Sequence, residues 1–256
     1  MLTQTFCHIP GIGRDTERRL WSEGCHDWDC LLQNSRDFSY GNASYDTVIR
    51  MVNESQEALA NKNHQYFASK LGRSEAWRAW PHFQDACAYL DIETDGSNHG
   101  EAVTMVGIYD GSKFRCLIKN ADLEDFRDYV THFSMIVTFF GSVFDLPMLC
   151  KRFKGLEFDH IHLDLCFTLK DLGYKGCLKK IEKQLGINRV AEVEGLGGMD
   201  AIRLWRAHQA GSPSALKTLI EYNREDVENL PKLAQVAYDG MSRAAKLAHD
   251  RPTVRK

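Results

Sequence analysis

A chain of 256 residues, 43% hydrophobic and 26% charged, has the composition of an ordinary folding protein; this excludes a disordered chain and leaves room for one large domain or a domain with an appendage. A net charge of −3 excludes capture of nucleic acid by bulk electrostatics, so any contact with phosphate has to come from a local patch or a metal ion. Eight cysteines without a Cys-x-x-Cys, no apolar run long enough to span a bilayer and no signal-peptide core together lead us to expect a cytoplasmic protein with reduced thiols and no membrane contact.

Near the N-terminus, Cys7-His8, Cys25-His26 and Cys30 crowd thiols and imidazoles together, but their spacing matches none of the common zinc-finger patterns. Ile9-Pro10-Gly11-Ile12-Gly13 then leads into Arg14-Asp15-Thr16-Glu17-Arg18-Arg19-Leu20-Trp21. This reads as a tight turn opening a basic amphipathic helix, whose free backbone N–H groups suit an anion. The stretch resembles the hairpin and second helix of a helix-hairpin-helix element, which implies Gly11 and Gly13 at a DNA backbone phosphate. The alternative is a turn packed by Ile9, Ile12 and Leu20. Residues 44–80 read as helices interrupted at Asn61-Lys62-Asn63-His64, and Trp77, Trp80 and Phe83 are expected to fasten them to the strands beyond. We therefore expect a helical region at 1–80, a second, larger domain at 81–240 and a basic tail at 241–256.

From residue 84 the pattern turns to strands: 86–92, 102–109 and, after Asp110-Gly111-Ser112, 113–118. A helix over 122–133, an apolar strand over 135–140, a helix over 146–153 and a short strand over 161–165 come next. Helices are then expected over 178–185, 200–210 and 213–238, the last opened by Ser212 as N-cap and Pro213 at the first helical position. Three hairpin-linked strands followed by alternating helix and strand predict an α/β fold. Its mixed sheet would have the order 3-2-1-4-5, be flanked by helices and carry a small all-α region in front.

The first strand ends in Asp91-Ile92-Glu93-Thr94-Asp95-Gly96. Residues i and i+2 share a strand face, so Asp91 and Glu93 sit side by side while Leu90 and Ile92 enter the core. Two neighbouring carboxylates repel and resist desolvation, and a divalent cation is a common compensation; the alternative is a strand end with solvated acids. In the expected order, Asp145, in Gly141-Ser142-Val143-Phe144-Asp145, can cap the next helix and reach back towards that pair. Tyr222 and Asp226 are one turn apart on a late helix, with Leu219, Val227 and Leu230 available to press it on the sheet.

Asp-x-Glu on strand one, Phe-Asp after strand four and Tyr-x-x-x-Asp on a late helix resemble the signature of the DEDD exonucleases of the tyrosine subtype (DEDDy), which are ribonuclease H-like. Thr-Phe-Phe-Gly-Ser-Val-Phe-Asp-Leu-Pro, His162-Leu-Asp164-Leu, Leu178-Lys-Lys-Ile-Glu-Lys-Gln-Leu-Gly-Ile and Tyr-Asn-Arg-Glu-Asp-Val-Glu-Asn-Leu resemble more closely the YprB-like ribonuclease H-like group, and the likeness covers nearly the whole chain. The resemblance implies 3′–5′ hydrolysis of phosphodiesters in single-stranded or frayed nucleic acid with two ions, Mg²⁺ or Mn²⁺. It implies Asp91, Glu93, Asp145 and Asp226 as metal ligands, with Tyr222 orienting the water. Thr94, Phe140, Phe144 and Asp164 are candidate nucleic-acid contacts beside Gly11 and Gly13, although Asp164 also reads as a helix N-cap.

The family usually has asparagine where this chain has Phe140. That departure puts substrate handling in doubt and leaves a catalytically impaired nucleic-acid-binding module as the alternative. Phe140 could stack on a base or simply pack. Lys175, Lys179, Lys180 and Lys183 form a stretch that either guides a strand or is a solvated helix face. DNA is slightly favoured over RNA because of the N-terminal turn. A haloacid-dehalogenase-type phosphatase also opens on Asp-x-acid after a strand, but that fold wants aspartate at Glu93.

Overall fold

A computed structural model describes residues 1–249, with side chains to residue 247. The helical front consists of α1 (Arg14–Ser22), α2 (Trp28–Gln33), α3 (Tyr45–Ala60), α4 (His64–Lys70) and α5 (Trp80–Phe83). Then come β1 (Cys87–Thr94), β2 (Val103–Tyr109), β3 (Phe114–Ile118), α6 (Phe126–Val130), β4 (Met135–Thr138), α7 (Asp145–Arg152) and β5 (Ile161–Asp164). The chain continues through α8 (Leu165–Asp171), α9 (Leu178–Gln184), α10 (Gly198–Gln209), α11 (Pro213–Glu228) and α12 (Leu230–His249).

The sheet order is β3-β2-β1-β4-β5, as the sequence predicts. β1 pairs antiparallel with β2 and parallel with β4, and β4 pairs parallel with β5. The pleat divides β1 between two cores. Ala88, Leu90 and Ile92 pack with Val106, Ile108, Ile136, Phe126 and Leu149 on one face. Cys87 and Tyr89 pack on the other, with Val137, Leu163, Leu233 and Ala237 and with Phe67, Trp77, Trp80 and Phe83 of the helical front. Asp91 and Glu93 continue this second face, which is apolar under α12 and turns acidic beyond it. Burial of both faces accounts for the near-continuous apolar run that leads into the acids.

Several boundaries differ from the expectation. β1 runs on to Thr94, so both acids lie within the strand rather than at its end. β4 stops at Thr138 because the backbone turns left-handed at Phe140, with φ 69°. Only Phe126–Val130 of the 122–133 segment is α-helical, after a 3₁₀ turn. The last expected helix is two: α11 ends at Glu228, since Pro231 lacks the N–H that would bond the carbonyl of Val227. Ser212 holds the N-cap position of α11 without a capping hydrogen bond from its side chain. α12 runs into the segment expected as a tail, whose residues 250–256 lie outside the described residues.

Candidate active site

β1 presents Asp91 and Glu93 to one side of the sheet, and α11 lies across that side with Tyr222, Asn223 and Asp226 on its buried face. The approach is close because Asp91 pairs with Gly107 of β2, where a methyl group would overlap the Asn223 carboxamide. Asn223 uses that space to donate a hydrogen bond from Nδ2 to Asp91 Oδ2 at 2.9 Å. Asp145 arrives from the far side of β1–β4 as the first residue of α7, one place inside the N-cap, which is Phe144. It caps no helix; its Oδ1 accepts the Ile92 N–H at 3.1 Å and so ties α7 to the acidic strand. A cleft of about 310 Å³ opens over these groups, with Thr94, Phe140 and Phe144 in its walls.

One carboxylate oxygen each from Asp91, Glu93 and Asp226 lies within 4.8 Å of the others, the one group of three or more potential metal ligands among the described residues. Glu93 and Asp226 are buried, and Glu93 Oε1 has no hydrogen-bond partner. Burial first, and then the charges of Asp226, Asp145 and Glu93, hold the Asp91 carboxyl well above its ordinary range. Burial and Asp226 do the same to Glu93, and burial raises Asp145 to about 7. An orphaned buried acceptor among mutually repelling carboxyls is a seat for a cation, and an all-oxygen donor set fits a hard divalent ion such as Mg²⁺ or Mn²⁺.

Cationic side chains already face the α11 groups, and none of them is assigned a place in the site from sequence alone. Arg189, in the connection after α9, makes two hydrogen bonds to Glu182 of α9 at 2.7 and 2.8 Å, and its Nη2 lies 2.5 Å from Asp226 Oδ1. Lys179 donates from Nζ to the Tyr222 hydroxyl at 2.8 Å. Lys179 thus leaves the set read as a solvated face or strand guide, whereas Lys175, Lys180 and Lys183 are exposed. The usable signal is the placement of Lys179 and Glu182 at i and i+3 beside the apolar Leu178 and Ile181. Asn223 stands in the late-helix motif with no role attached to it, and Arg189 has no local signal.

Residues 81–240 are expected to carry the chemistry, and residues 88–238, more than half of the chain, match the RNase_H superfamily. The chain belongs to the RNase H superfamily. The match includes every acid of the cluster. No curated protein and no solved structure matches the chain.

Other expected contacts of this RNase H superfamily chain fall elsewhere. Asp164 does not face the cleft. It is the N-cap of α8, accepting from the Cys166 N–H at 3.1 Å, and its oxygens also take the Phe140 and Ser142 N–H groups and the Ser142 hydroxyl at 2.6–3.0 Å. It thereby fixes the turn that carries Phe140. At the N-terminal turn, Gly11 is exposed but backs onto the chain at Ala43, where a Cβ would lie 2.7 Å from the Ala43 nitrogen; Gly13, the N-cap of α1, faces open space. The basic residues of α1 are also engaged internally: Arg14 with Glu75, Arg18 with Asp15, and Arg19 with the Ser39 carbonyl. Among the described residues, the cysteines and histidines near the N-terminus form no group of three potential metal ligands, and His8 instead meets the Ser55 hydroxyl at 2.8 Å.

Proposed function

We propose that this RNase H superfamily chain is a metal-dependent 3′–5′ exonuclease of the DEDDy type, hydrolysing phosphodiester bonds of single-stranded or frayed nucleic acid. One observation carries the reading: Asp91 and Glu93 of β1 and, 133 positions beyond Glu93, Asp226 of α11 turn their carboxylates onto one point, with Tyr222 one turn away on the same helix face. Asp91, Glu93 and Asp226, with Asp145, would hold two ions, Mg²⁺ or Mn²⁺, which when bound supply an activated water and stabilise the departing 3′ oxygen. Asn223 keeps Asp91 turned towards the cleft, and Asp145 is held by the Ile92 amide at its rim. Burial raises the Tyr222 hydroxyl far above its ordinary range, so it stays protonated and can donate to the attacking water.

Preference for unpaired strands is supported by the aromatic rim. Phe140, Phe144 and Phe167 are 43%, 43% and 44% exposed, and Phe140 stacks on Phe167 with centroids 6.1 Å apart. Exposed aromatic faces bind bases without regard to sequence. Polarity, and the slight preference for DNA over RNA, rest on the resemblance of the motifs and of the N-terminal turn. The test is degradation of 5′- and 3′-labelled DNA and RNA oligonucleotides with Mg²⁺ or Mn²⁺. Release of 3′-terminal nucleotides is expected, falling by at least about 100-fold in Asp91→Ala and Asp226→Asn. Binding of labelled strands without turnover in either metal would instead favour the impaired binding module, which the strained backbone at Phe140 motivates.

A further inference from the structure

Tyr222 is one of two groups on α11 that meet a cation from the α9 side. Lys179 Nζ donates to its hydroxyl at 2.8 Å and lies 3.9 Å from the ring centroid. The same ammonium donates to the Leu196 carbonyl in the connection before α10, so it is held at two points rather than swinging in solvent. One turn along, Arg189 stands in the same relation to Asp226, itself gripped by buried Glu182. α9 and the chain after it thus touch the functional groups of α11 through Lys179 and Arg189.

An ammonium carries three donors and no acceptor. Its hydrogen bond to Tyr222 therefore has one possible sense, with the phenol oxygen accepting. The phenol's own proton must then turn away from Lys179, and Tyr222 lines the cleft together with Glu93 and Asp226. With a neutral, rotatable partner the phenol could equally accept from the cleft side and present a lone pair there.

We propose that Lys179 is a positioning residue that fixes the Tyr222 hydroxyl as a hydrogen-bond donor into the acidic cleft. This rests on the nuclease reading, in which that hydroxyl meets the attacking water. Lys179 makes no hydrogen bond to the acids, although its charge reaches Asp226 and Glu93; in this role it acts through Tyr222. A lysine that merely recruits phosphate would act on substrate affinity, and a lysine that merely links α9 to α11 would act on stability.

The experiment is a double-mutant cycle on the full chain with a single-stranded oligonucleotide and Mn²⁺, using Lys179→Met, Tyr222→Phe and the pair. Thermal unfolding and calorimetric Mn²⁺ affinity are measured on all four proteins. Lys179→Met is expected to lower kcat about tenfold with KM within about twofold of the parent and Mn²⁺ affinity no weaker, and the pair to be no slower than Tyr222→Phe alone. Lys179→Arg, which keeps a charged donor, is expected to recover part of the rate. Multiplying losses in the pair, or a raised KM with kcat intact, would overturn the proposal. Should Lys179→Met unfold, Lys179→Gln and Lys179→Arg carry the same comparison. If Tyr222→Phe leaves an otherwise metal-dependent rate untouched, the inference fails alone; if no variant of the acids lowers activity, the nuclease reading fails with it.

Discussion

Gly107 sits opposite Asp91 in the β1–β2 ladder, and its missing side chain is what lets α11 settle onto the strand. A glycine inside a strand ordinarily weakens it, so its presence at this register marks a close approach. Gly107→Ala would push the Asn223 carboxamide off Asp91 and lift α11 with it. The expected result is a loss of about 1–3 kcal/mol in denaturant unfolding, together with weaker Mn²⁺ binding by calorimetry. Stability lost with Mn²⁺ affinity intact would mean that Asn223 has no part in shaping the acid cluster. Nothing in the linear sequence pairs Gly107 with Asn223, because a strand pattern says which way a side chain points and not which helix will cross it. Phe140 is a contrasting case. Its departure from the asparagine usual in the DEDD exonucleases that the motifs resemble is visible in the sequence, and the left-handed φ of 69° gives it a physical meaning, since asparagine tolerates that backbone and phenylalanine does not favour it.

At the scale of elements, the sheet and its order are legible because period-two patterning and short turns are local signals, and the alternation of β1 already separates its acids from Leu90 and Ile92. The break at Pro231 is equally local but is obscured by apolar periodicity that continues through it. The site's acids are legible too, from their order along the chain. The role of α9 is not, because its partners lie on α11 and are chosen by tertiary packing. Glu182 and Arg189 have side chains only 1% and 5% exposed, and their ion pair sits in the interior against Asp226. Arg189→Met would leave Glu182 buried with the weak support of Asn229 at 3.3 Å. The expected loss is about 3–5 kcal/mol in urea unfolding, most of it recovered when Glu182→Gln is added, since breaking one partner is far worse than removing both. A single variant as stable as the parent would show that the pair is not sequestered from water.

For the molecule as a whole, four acids from three separate stretches of the chain are forced together by two apolar cores, and that crowding opposes folding whenever the acids are charged. Asp91 and Glu93 are held well above their ordinary values by burial and by neighbouring negative charge; Asp226 is raised by burial although Arg189 and Lys179 oppose it; Asp145 is raised to about 7. A carboxyl whose value is higher in the folded than in the unfolded chain binds more protons when folded, between its unfolded value near 4 and its raised value. Its contribution is therefore complete below about pH 4 and is lost as pH rises through the folded value, which for Asp145 means through about 7. In metal-free protein, stability attributable to this cluster should fall from pH 5 to pH 8. Asp145→Asn should flatten that fall, because an amide has no proton to lose. A divalent cation held by the charged acids, as proposed, would reverse the dependence. The rise in melting temperature on adding Mn²⁺ should be larger at pH 8 than at pH 5.5, following the logarithm of free ion over its dissociation constant. A melting temperature that Mn²⁺ raises equally at both pH values, with Asp145→Asn indistinguishable from the parent, would place the ion somewhere other than among these carboxylates.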